Sequence, residues 1–563
     1  MNVDATMTRA APDSRFGGLQ GLRGTLATAA LFLLISAVFT WPAARLDPLD
    51  LVTRHFDLYV AVWLVEQAPD SFLRLITHAS AWPAGESLTH CDSLLLLMVS
   101  WLLQGLLSGG TILALLTWLG PVINALAAEH CARRVLDVAR PWSLLAGLAY
   151  GFSGIAATAV LEGHVYFLMA PWLPLLLTIA WTSPERGLPW GRGLLLGGCW
   201  SLSLLTSAYL GLCATLLLVV AAAARPRRVL RLLPGAALIT LPVVAWYLWI
   251  FTLVPAQGLQ PVSPALTLQQ GAATLASLTG WTSQLDTTRH SLGAPLGFTV
   301  LWLLLLAPVV LRHRPGWKAL ALLALTAVML CLGRELRLVH GGPGLPSPVA
   351  LLTLLPGIEK LRFPIRFAWL YALCGGLVAS AVLQAMARRL NPALLLPVLA
   401  VALVDVMVVV GLPLRARVAL GEVPSAYLAA PLDAPILDVF GRSAGGEDEE
   451  LAAWARSYSC YYQAHHHRPI YETCLATEVR SNRQRLETEL QRLLLNPNAG
   501  HGAAADLLSR EGAGAIAVHA DFLLPTDRAA LLRLLTEALG PPTADTSDGG
   551  ERIVLFEVSQ PPG

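Results

Sequence analysis

Charge is what this sequence has least of. Only 13% of its 563 residues are Asp, Glu, Lys or Arg, against 55% apolar, and its mean hydropathy is +0.59. Soluble domains carry about 25% charged residues, so a soluble enzyme of this length is excluded. No strict glycine period is present, which excludes a collagen-like chain, and abundant Leu, Val, Ala and Trp exclude disorder. Other absences narrow the chemistry. No cysteine spacing suits a metal, and no GxSxG elbow marks a serine hydrolase. The run Gly341-Gly342-Pro343-Gly344 lacks the strand-to-helix Walker spacing of a phosphate cradle. No repeat relates the two halves, as transporters usually show. A polytopic membrane protein remains.

The charge that is present is uneven. Residues 1–414 hold 26 Lys+Arg against 17 Asp+Glu, a net +9; residues 415–563 hold 13 against 20, a net −7. Charged residues make up 43 of the first 414 and 33 of the last 149, so a boundary near Pro413 divides a membrane part from a soluble tail. The acidic tail excludes nucleic acid as a partner, because nucleic acid rewards basic surface.

A hydrocarbon core about 30 Å thick takes about 20 apolar residues per helix. The first candidate, 25–46, follows Arg9, Arg15 and Arg23, which hold the N-terminus in the cytoplasm. No small-x-small site follows Phe39-Thr40-Trp41-Pro42, so an uncleaved anchor is favoured over a signal peptide. Further apolar runs are 93–107, 111–130, 143–160, 165–182, 193–206, 208–224, 233–254, 295–311, 317–333, 365–386 and 393–412. Three basic clusters (Arg225/Arg227/Arg228/Arg231, Arg312/Arg314/Lys318 and Arg388/Arg389) belong inside. That places 255–294 and 334–364 outside, and the last helix delivers the tail outside. An internal N-terminus and an external tail need an odd number of crossings. About eleven transmembrane helices are therefore expected, with the miscount falling at 93–130. The expected division is 1–23 cytoplasmic, 24–413 an α-helical membrane bundle with a first external loop at 47–92, and 414–563 a small extracytoplasmic α/β domain.

In the tail, 435–440, 515–520 and 552–558 read as strands, and 480–495, 502–510 and 525–539 as helices, the last started by Pro525. Cys460 and Cys474 are placed to pair in an oxidising compartment. The six earlier cysteines lie mostly on apolar stretches, as small hydrophobes. His465-His466-His467 has no matching carboxylate cluster, which makes metal the weaker reading there.

An ionisable side chain costs about 2.5–3.5 kcal/mol at a membrane-helix centre, so charges at depth or in mouth loops are functional candidates. The first loop holds Asp47, Asp50, His55, Asp57, Glu66, Asp70, His78, Glu86, His90 and Asp92, interleaved with Phe56, Tyr59, Trp63 and Trp82. Within it, 57–67 and 71–78 have the spacing of amphipathic interfacial helices; a solvated surface loop is the bland alternative. Glu162-Gly163-His164 falls at an external helix junction, where a structural, hydrogen-bonded histidine is the competing reading. Lys360, Arg362 and Arg366 precede a helix on the outer side, against the usual bias. Arginine pairs bidentately with phosphate, either that of a ligand or that of a lipid headgroup. Asp405, inside the last helix, reads as the partner of another buried polar group.

In this order, these clusters resemble the GT-C superfamily, polytopic glycosyltransferases that use polyprenyl-phosphate sugars, and within it an uncharacterised bacterial branch with YfhO-like relatives. The resemblance covers roughly 20–390. It rests on Phe56-Asp57-Leu58-Tyr59-Val60-Ala61-Val62-Trp63, on Trp82-Pro83-Ala84-Gly85 with His90, and on Phe152-Ser153-Gly154, Gly163-His164 and Trp172-Leu173-Pro174. Its last element is Pro356-Gly357-Ile358 through Leu361-Arg362-Phe363-Pro364-Ile365-Arg366-Phe367. The usual Gly-Asp reads Phe56-Asp57 here, the Pro after Phe-Ser is Gly154, and the first loop has no adjacent pair of acids.

The resemblance implies that Asp57 is the general base and that Arg362 and Arg366, with Lys360, bind the donor phosphate. It implies that His90, Asp92, His164 and Glu162 orient the acceptor or hold a divalent cation. The implied activity is inverting transfer of a sugar from a polyprenyl-phosphate donor, at the external face of the inner membrane, to an envelope glycan, lipid or protein. A non-catalytic protein of envelope assembly, or a transporter of lipid or polysaccharide, is the alternative; the long first loop fits a transporter poorly. In the tail, Tyr458-Ser459-Cys460-Tyr461-Tyr462-Gln463-Ala464-His465 with Arg468-Pro469 resembles a recurring "YYQ…HGRP" segment. It reads either as a cover over the membrane site or, more plainly, as a strand and loop.

Overall fold

The structure is a computed structural model. It describes residues 16–41, 43–46, 50–51, 56–71, 76–77, 86–87, 93–161, 163–182, 189–253, 272–273, 278, 296–314, 316–337, 344–347, 349–351, 364–390, 392–409, 418–419, 424–431, 434–440, 449–471, 474, 482–495, 502–523, 525–548 and 551–559.

Helix α1 (Phe16–Phe39) leads to the first loop, which holds α2 (Phe56–Ser71). The rest of the membrane part is α3 (Leu94–Leu103), α4 (Gly109–Val135), α5 (Leu144–Gly151), α6 (Gly154–Leu161), α7 (Trp172–Trp181), α8 (Pro189–Thr206), α9 (Ala208–Ala224), α10 (Pro226–Leu253), α11 (Phe298–Val310), α12 (Trp317–Cys331), α13 (Ala368–Ala387) and α14 (Pro392–Val409). Short ladders join β1 (Asp50–Leu51) to a distant partner, β2 (Ile76–Thr77) to β3 (Glu86–Ser87), and β4 (Glu335–Arg337) to β5 (Gly344–Pro346).

Among the described residues five stretches are long and apolar enough to cross a membrane: Leu22–Phe39, Gly109–Val135, Leu144–Leu161, Pro226–Trp249 and Pro364–Ala387; shorter apolar helices accompany them. Their outward faces carry exposed Leu34, Leu102, Trp190, Leu195, Leu241, Trp249, Trp302 and Leu305, the surface that hydrocarbon solvates. The chain is a multi-pass membrane protein. Helix α13 is apolar all round and buried from Ala368 to Gln384, as a central helix is. In the 93–130 region, α3 has ten residues. At 1.5 Å per residue it is about 15 Å long, half a hydrocarbon core.

Serine hydroxyls start several of these helices, accepting from Leu96 N for α3 and Thr111 N for α4, which satisfies amides that lack a helical partner. Charges at depth are neutralised in the same way. Glu129 accepts from Arg140 Nε at 2.8 Å and Ser143 Oγ at 3.0 Å. Asp405 accepts from Thr299 N at 2.7 Å, a part-buried backbone amide in the first turn of α11, where another buried polar group was expected. There the carboxylate meets the positive end of the helix dipole.

Past β6 (Val418–Ala419) the tail is a small α/β unit. Strands β7 (Ile436–Val439), β8 (Ala515–His519), β9 (Ala544–Thr546) and β10 (Ile553–Glu557) form one sheet in the order β7-β8-β10-β9. β7 and β8 are parallel and the other pairs antiparallel. Between β7 and β8 run α15 (Glu449–His466), α16 (Asn482–Leu495) and α17 (Gly502–Arg510); α18 (Pro525–Leu539) follows β8. Leu437, Val439, Ile516, Val518, Val554 and Phe556 of the sheet bury against Leu486, Leu490, Leu507, Leu508, Leu531 and Leu535 of the helices.

The expected strands and helices of the tail are therefore present, with one correction. The segment Tyr458–His465, expected as a strand and loop, lies within α15, and Arg468-Pro469 follow just past its end. In the first loop, 57–67 is helical as expected, but Ile76–Thr77 pairs antiparallel with Glu86–Ser87 where a helix was expected over 71–78.

Tail and first loop are physically joined. β1 pairs antiparallel with β6, and α15 packs on α2, so both lie on one side of the membrane part. Cys460 and Cys474 form a disulfide at a separation of 14 residues. In the denatured chain, polyethylene-glycol maleimide should modify both cysteines only after reduction. The Cys460→Ser, Cys474→Ser variant should lose roughly 3 kcal/mol of tail stability, read as a lower midpoint for proteolysis of the tail in urea.

Candidate active site

Between α6 and α7 the backbone leaves helical geometry. Gly163 turns it with φ of +73°, a conformation only glycine adopts without strain. His164 follows, then the 3-10 turn Val165–Leu168. Non-helical backbone inside a membrane protein must find donors for its carbonyls, and three helices supply them. Asn124 Nδ2 donates to Leu168 O at 2.9 Å, Tyr150 OH to Ala170 O at 2.6 Å, and Thr206 Oγ1 to Met169 O at 3.3 Å. Gly120 lets α4 approach the turn, since a Cβ there would meet Leu168 Cβ at 2.6 Å.

This turn touches both other clusters. A Cβ on Gly163 would lie 2.5 Å from Leu58 N and 2.6 Å from Leu58 Cα. The glycine therefore rests on the backbone of the first turn of α2, one residue after Asp57. On the other side, the His164 ring meets Phe167 edge-on, with centroids 6.0 Å apart. The Arg366 guanidinium lies 4.6 Å above the Phe167 ring and 5.1 Å from that of Tyr209. Arg366 is 9% exposed. It sits on the 3-10 turn Pro364–Phe367 that opens α13, and Phe367 packs edge-on against Tyr209 at 5.7 Å. A desolvated cation between two aromatic faces is held by about 2 kcal/mol or more.

Three of the expected positions thus converge: the start of α2, His164, and Arg366, bridged by Phe167. The side chain of Asp57 and residues His90, Asp92, Glu162, Lys360 and Arg362 lie outside the described residues. Among the described residues no three His, Cys, Asp or Glu side chains gather as metal ligands do. Sequence reading did not single out Asn124, Phe167 or Tyr209. Of these only Asn124, polar within an apolar run, carries a sequence signal; the rings act purely through contacts.

The tail contributes a second wall. Tyr59 of α2 packs between Tyr458 and Tyr461 of α15, at centroid distances of 5.2 and 5.0 Å. Trp63 Nε1 and Gln67 Nε2 both donate to Gln463 Oε1, at 2.9 and 3.0 Å. One turn after Tyr458, Tyr462 of α15 enters a buried network. Tyr462 OH donates to Glu551 Oε2 at 2.9 Å, and His519 contacts Glu551 at 2.6 Å and Asp438 at 3.2 Å. Tyr427 OH donates to Asp438 at 2.6 Å.

Burial opposes charging His519, yet the charge and hydrogen bonds of Glu551 and Asp438 raise its pKa to about 9. Burial likewise opposes charging Asp438, but hydrogen bonds and charge from His519, then Tyr427 and His466, hold it below the usual carboxylate range. His466 is pushed down to about 3, mainly by burial, and stays neutral.

Comparison with known proteins agrees at the level of fold. The arabinofuranosyltransferase AftD from Mycobacteria overlays on 96% of this chain with a TM-score of 0.56 at 16% identity. The chain has the GT-C fold. It spans 40% of the length of AftD. The oligosaccharyltransferase of Archaeoglobus fulgidus (12% identity, TM-score 0.45, 92% of this chain and 71% of that one) overlays more loosely. So does ArnT from Cupriavidus metallidurans (13%, 0.38, 97% and 100%). No protein-family model and no curated protein matches the sequence.

Two measurements check the geometry of the Gly163 turn and of the tail network. Gly163→Ala puts a methyl into the Leu58 backbone at positive φ, so its melting temperature in detergent should fall by the equivalent of about 1–3 kcal/mol or more. The folded pKa of His519 lies above its unfolded value of about 6.5, so its contribution is complete below pH 6.5 and disappears as pH rises through about 9. Melting of the tail should therefore drop between pH 7 and 9.5 by the equivalent of on the order of 3 kcal/mol, and His519→Gln should flatten that profile.

Proposed function

We propose that this protein is a membrane glycosyltransferase. It transfers a sugar from a polyprenyl-phosphate donor to a hydroxyl of an envelope glycan, lipid or protein, on the outer face of the inner membrane. The observation that carries the reading is the Gly163 contact. It sets the start of α2, which bears Asp57, against the turn whose Phe167 lies under Arg366.

The chemistry follows from that placement. The Asp57 carboxylate takes the proton of the acceptor hydroxyl. The acceptor oxygen attacks the anomeric carbon as the bond to the lipid phosphate oxygen breaks, which inverts the sugar. The negative charge that develops on the leaving phosphate is met by Arg366, with Arg362 and Lys360 reaching the same group. Preoriented cations do this without reorganising during the reaction. His164, with Glu162, His90 and Asp92, orients the acceptor. A divalent cation on these groups would offset the same phosphate charge, but no step here depends on it.

The disulfide supports placing the tail in an oxidising compartment, and the first loop shares that side through the β1–β6 ladder. The clusters at Arg225, Arg312 and Arg388 suit the cytoplasmic side.

The test is transfer of radiolabelled sugar from polyprenyl-phosphate donors, beginning with the arabinofuranosyl donor that the name of AftD suggests, in inside-out and right-side-out vesicles. Asp57→Asn should lower kcat by about 10²–10⁴-fold and Arg366→Ala by about 10²–10³-fold. Unchanged transfer by Asp57→Asn would remove the base assignment and favour a non-catalytic role in envelope assembly.

A further inference from the structure

We infer that α15 of the tail is the positioning element of the catalytic helix α2, and that Gln463 fixes the rotation of α2. Tyr59, Trp63 and Gln67 are four residues apart and therefore lie on one stripe of α2. All three face α15, and all three are buried. The atom of Gln463 that they meet is an oxygen, because an indole nitrogen can only donate. This one oxygen accepts from both Trp63 Nε1 and Gln67 Nε2. Any rotation of α2 would strand two buried donors, which a membrane-face loop cannot re-satisfy cheaply.

The support behind Gln463 is itself rigid. Cys460 is covalently tied to Cys474, and Tyr462 is bonded to Glu551. Arg468, just past the helix, donates to three backbone carbonyls, Tyr427 O at 2.5 Å, Ala430 O at 2.7 Å and Pro431 O at 2.9 Å. Position 57 precedes Leu58 in the first turn of α2, at the end where Gly163 meets Leu58. The helix is therefore clamped from two directions. Gly163 fixes the height of its first turn, and Gln463 fixes its rotation. Through that rotation the tail sets the orientation of the turn that carries position 57, so Gln463 is a positioning residue for the reaction and does not touch the reacting atoms.

The functional part of this inference rests on the role proposed for Asp57; the mechanical part does not, and the experiment separates them. In the full-length protein in nanodiscs, amide hydrogen exchange is followed over 58–67 and over β8 and β10. Gln463→Leu should speed exchange in 58–67 by about tenfold, the effect of two lost buried hydrogen bonds, and leave the sheet as in the wild type. Gln463→Glu keeps an acceptor oxygen at the same reach in either protonation state and should retain wild-type protection. Trp63→Phe removes a donor from the other side and should speed the same segment.

In the transfer assay, Gln463→Leu should lower kcat about tenfold with the donor KM unchanged. Unaltered exchange in 58–67, equal acceleration of the sheet, or failure of Gln463→Glu to rescue would each overturn the clamp. Altered exchange with unaltered kcat would overturn the positioning role alone. If the wild-type protein transfers no sugar, the proposed function falls and the exchange data still decide the clamp.

Discussion

Two backbones lie almost against each other where Gly163 rests on the first turn of α2, and no side chain other than hydrogen fits between them. That contact is possible only because Gly163 adopts a φ of +73° and carries no Cβ. It is also what brings the first-loop helix against the His164 turn. Without it, the charged first loop and the His164 turn would be neighbouring surface features. With it, the loop helix, the irregular turn and the arginine at the head of α13 form one connected body, with Phe167 as its hinge pin.

The membrane environment explains why so much of the surrounding structure serves that turn. In water an irregular segment can hydrate its carbonyls; inside a helical bundle each one must be satisfied by the protein. Asn124, Tyr150 and Thr206 each give a donor to this segment from a different helix, and Gly120 and Gly151 allow the approach needed for it. Arg366 obeys the same constraint. Its charge is buried against the faces of Phe167 and Tyr209, which hold a desolvated cation.

The tail solves a different problem, that of holding a helix in a loop. Helix α2 is a 16-residue segment with short ladders on either side, and its residues 58–67 are buried nearly all round. Packing on α15 buries Tyr59 and Trp63, and Tyr462 of α15 donates to Glu551, whose other carboxylate oxygen meets His519 of β8. Charge deep in the tail domain is thereby connected, through one helix, to the geometry of the membrane site.

The large features were legible in the sequence because they rest on local physics. Long apolar runs mark helices wherever lipid surrounds them, and the runs at 208–224 and 317–333 reappear as α9 and α12. The rise in charge past Pro413 marked the tail, where the four-stranded sheet lies. Motif spacing singled out Asp57, His164 and Arg366, two of which the structure now places on either side of Phe167.

Other features were illegible for equally physical reasons. Over 457–464 helix α15 is buried nearly all round, so that stretch shows no polar stripe, and its tyrosines favour strand by propensity. The short α3 is apolar enough to pass for half of a span, but its length is set by the turn at Gln104. Trp63 and Gln463 stand 400 residues apart in the chain, and nothing in either segment signals the other. The sequence by itself determined which segments enter lipid and which charges are too costly to be accidental. Only the tertiary structure decided which of those charges meet, because meeting depends on a glycine that lets two backbones touch and on a helix whose partners are supplied by a distant domain.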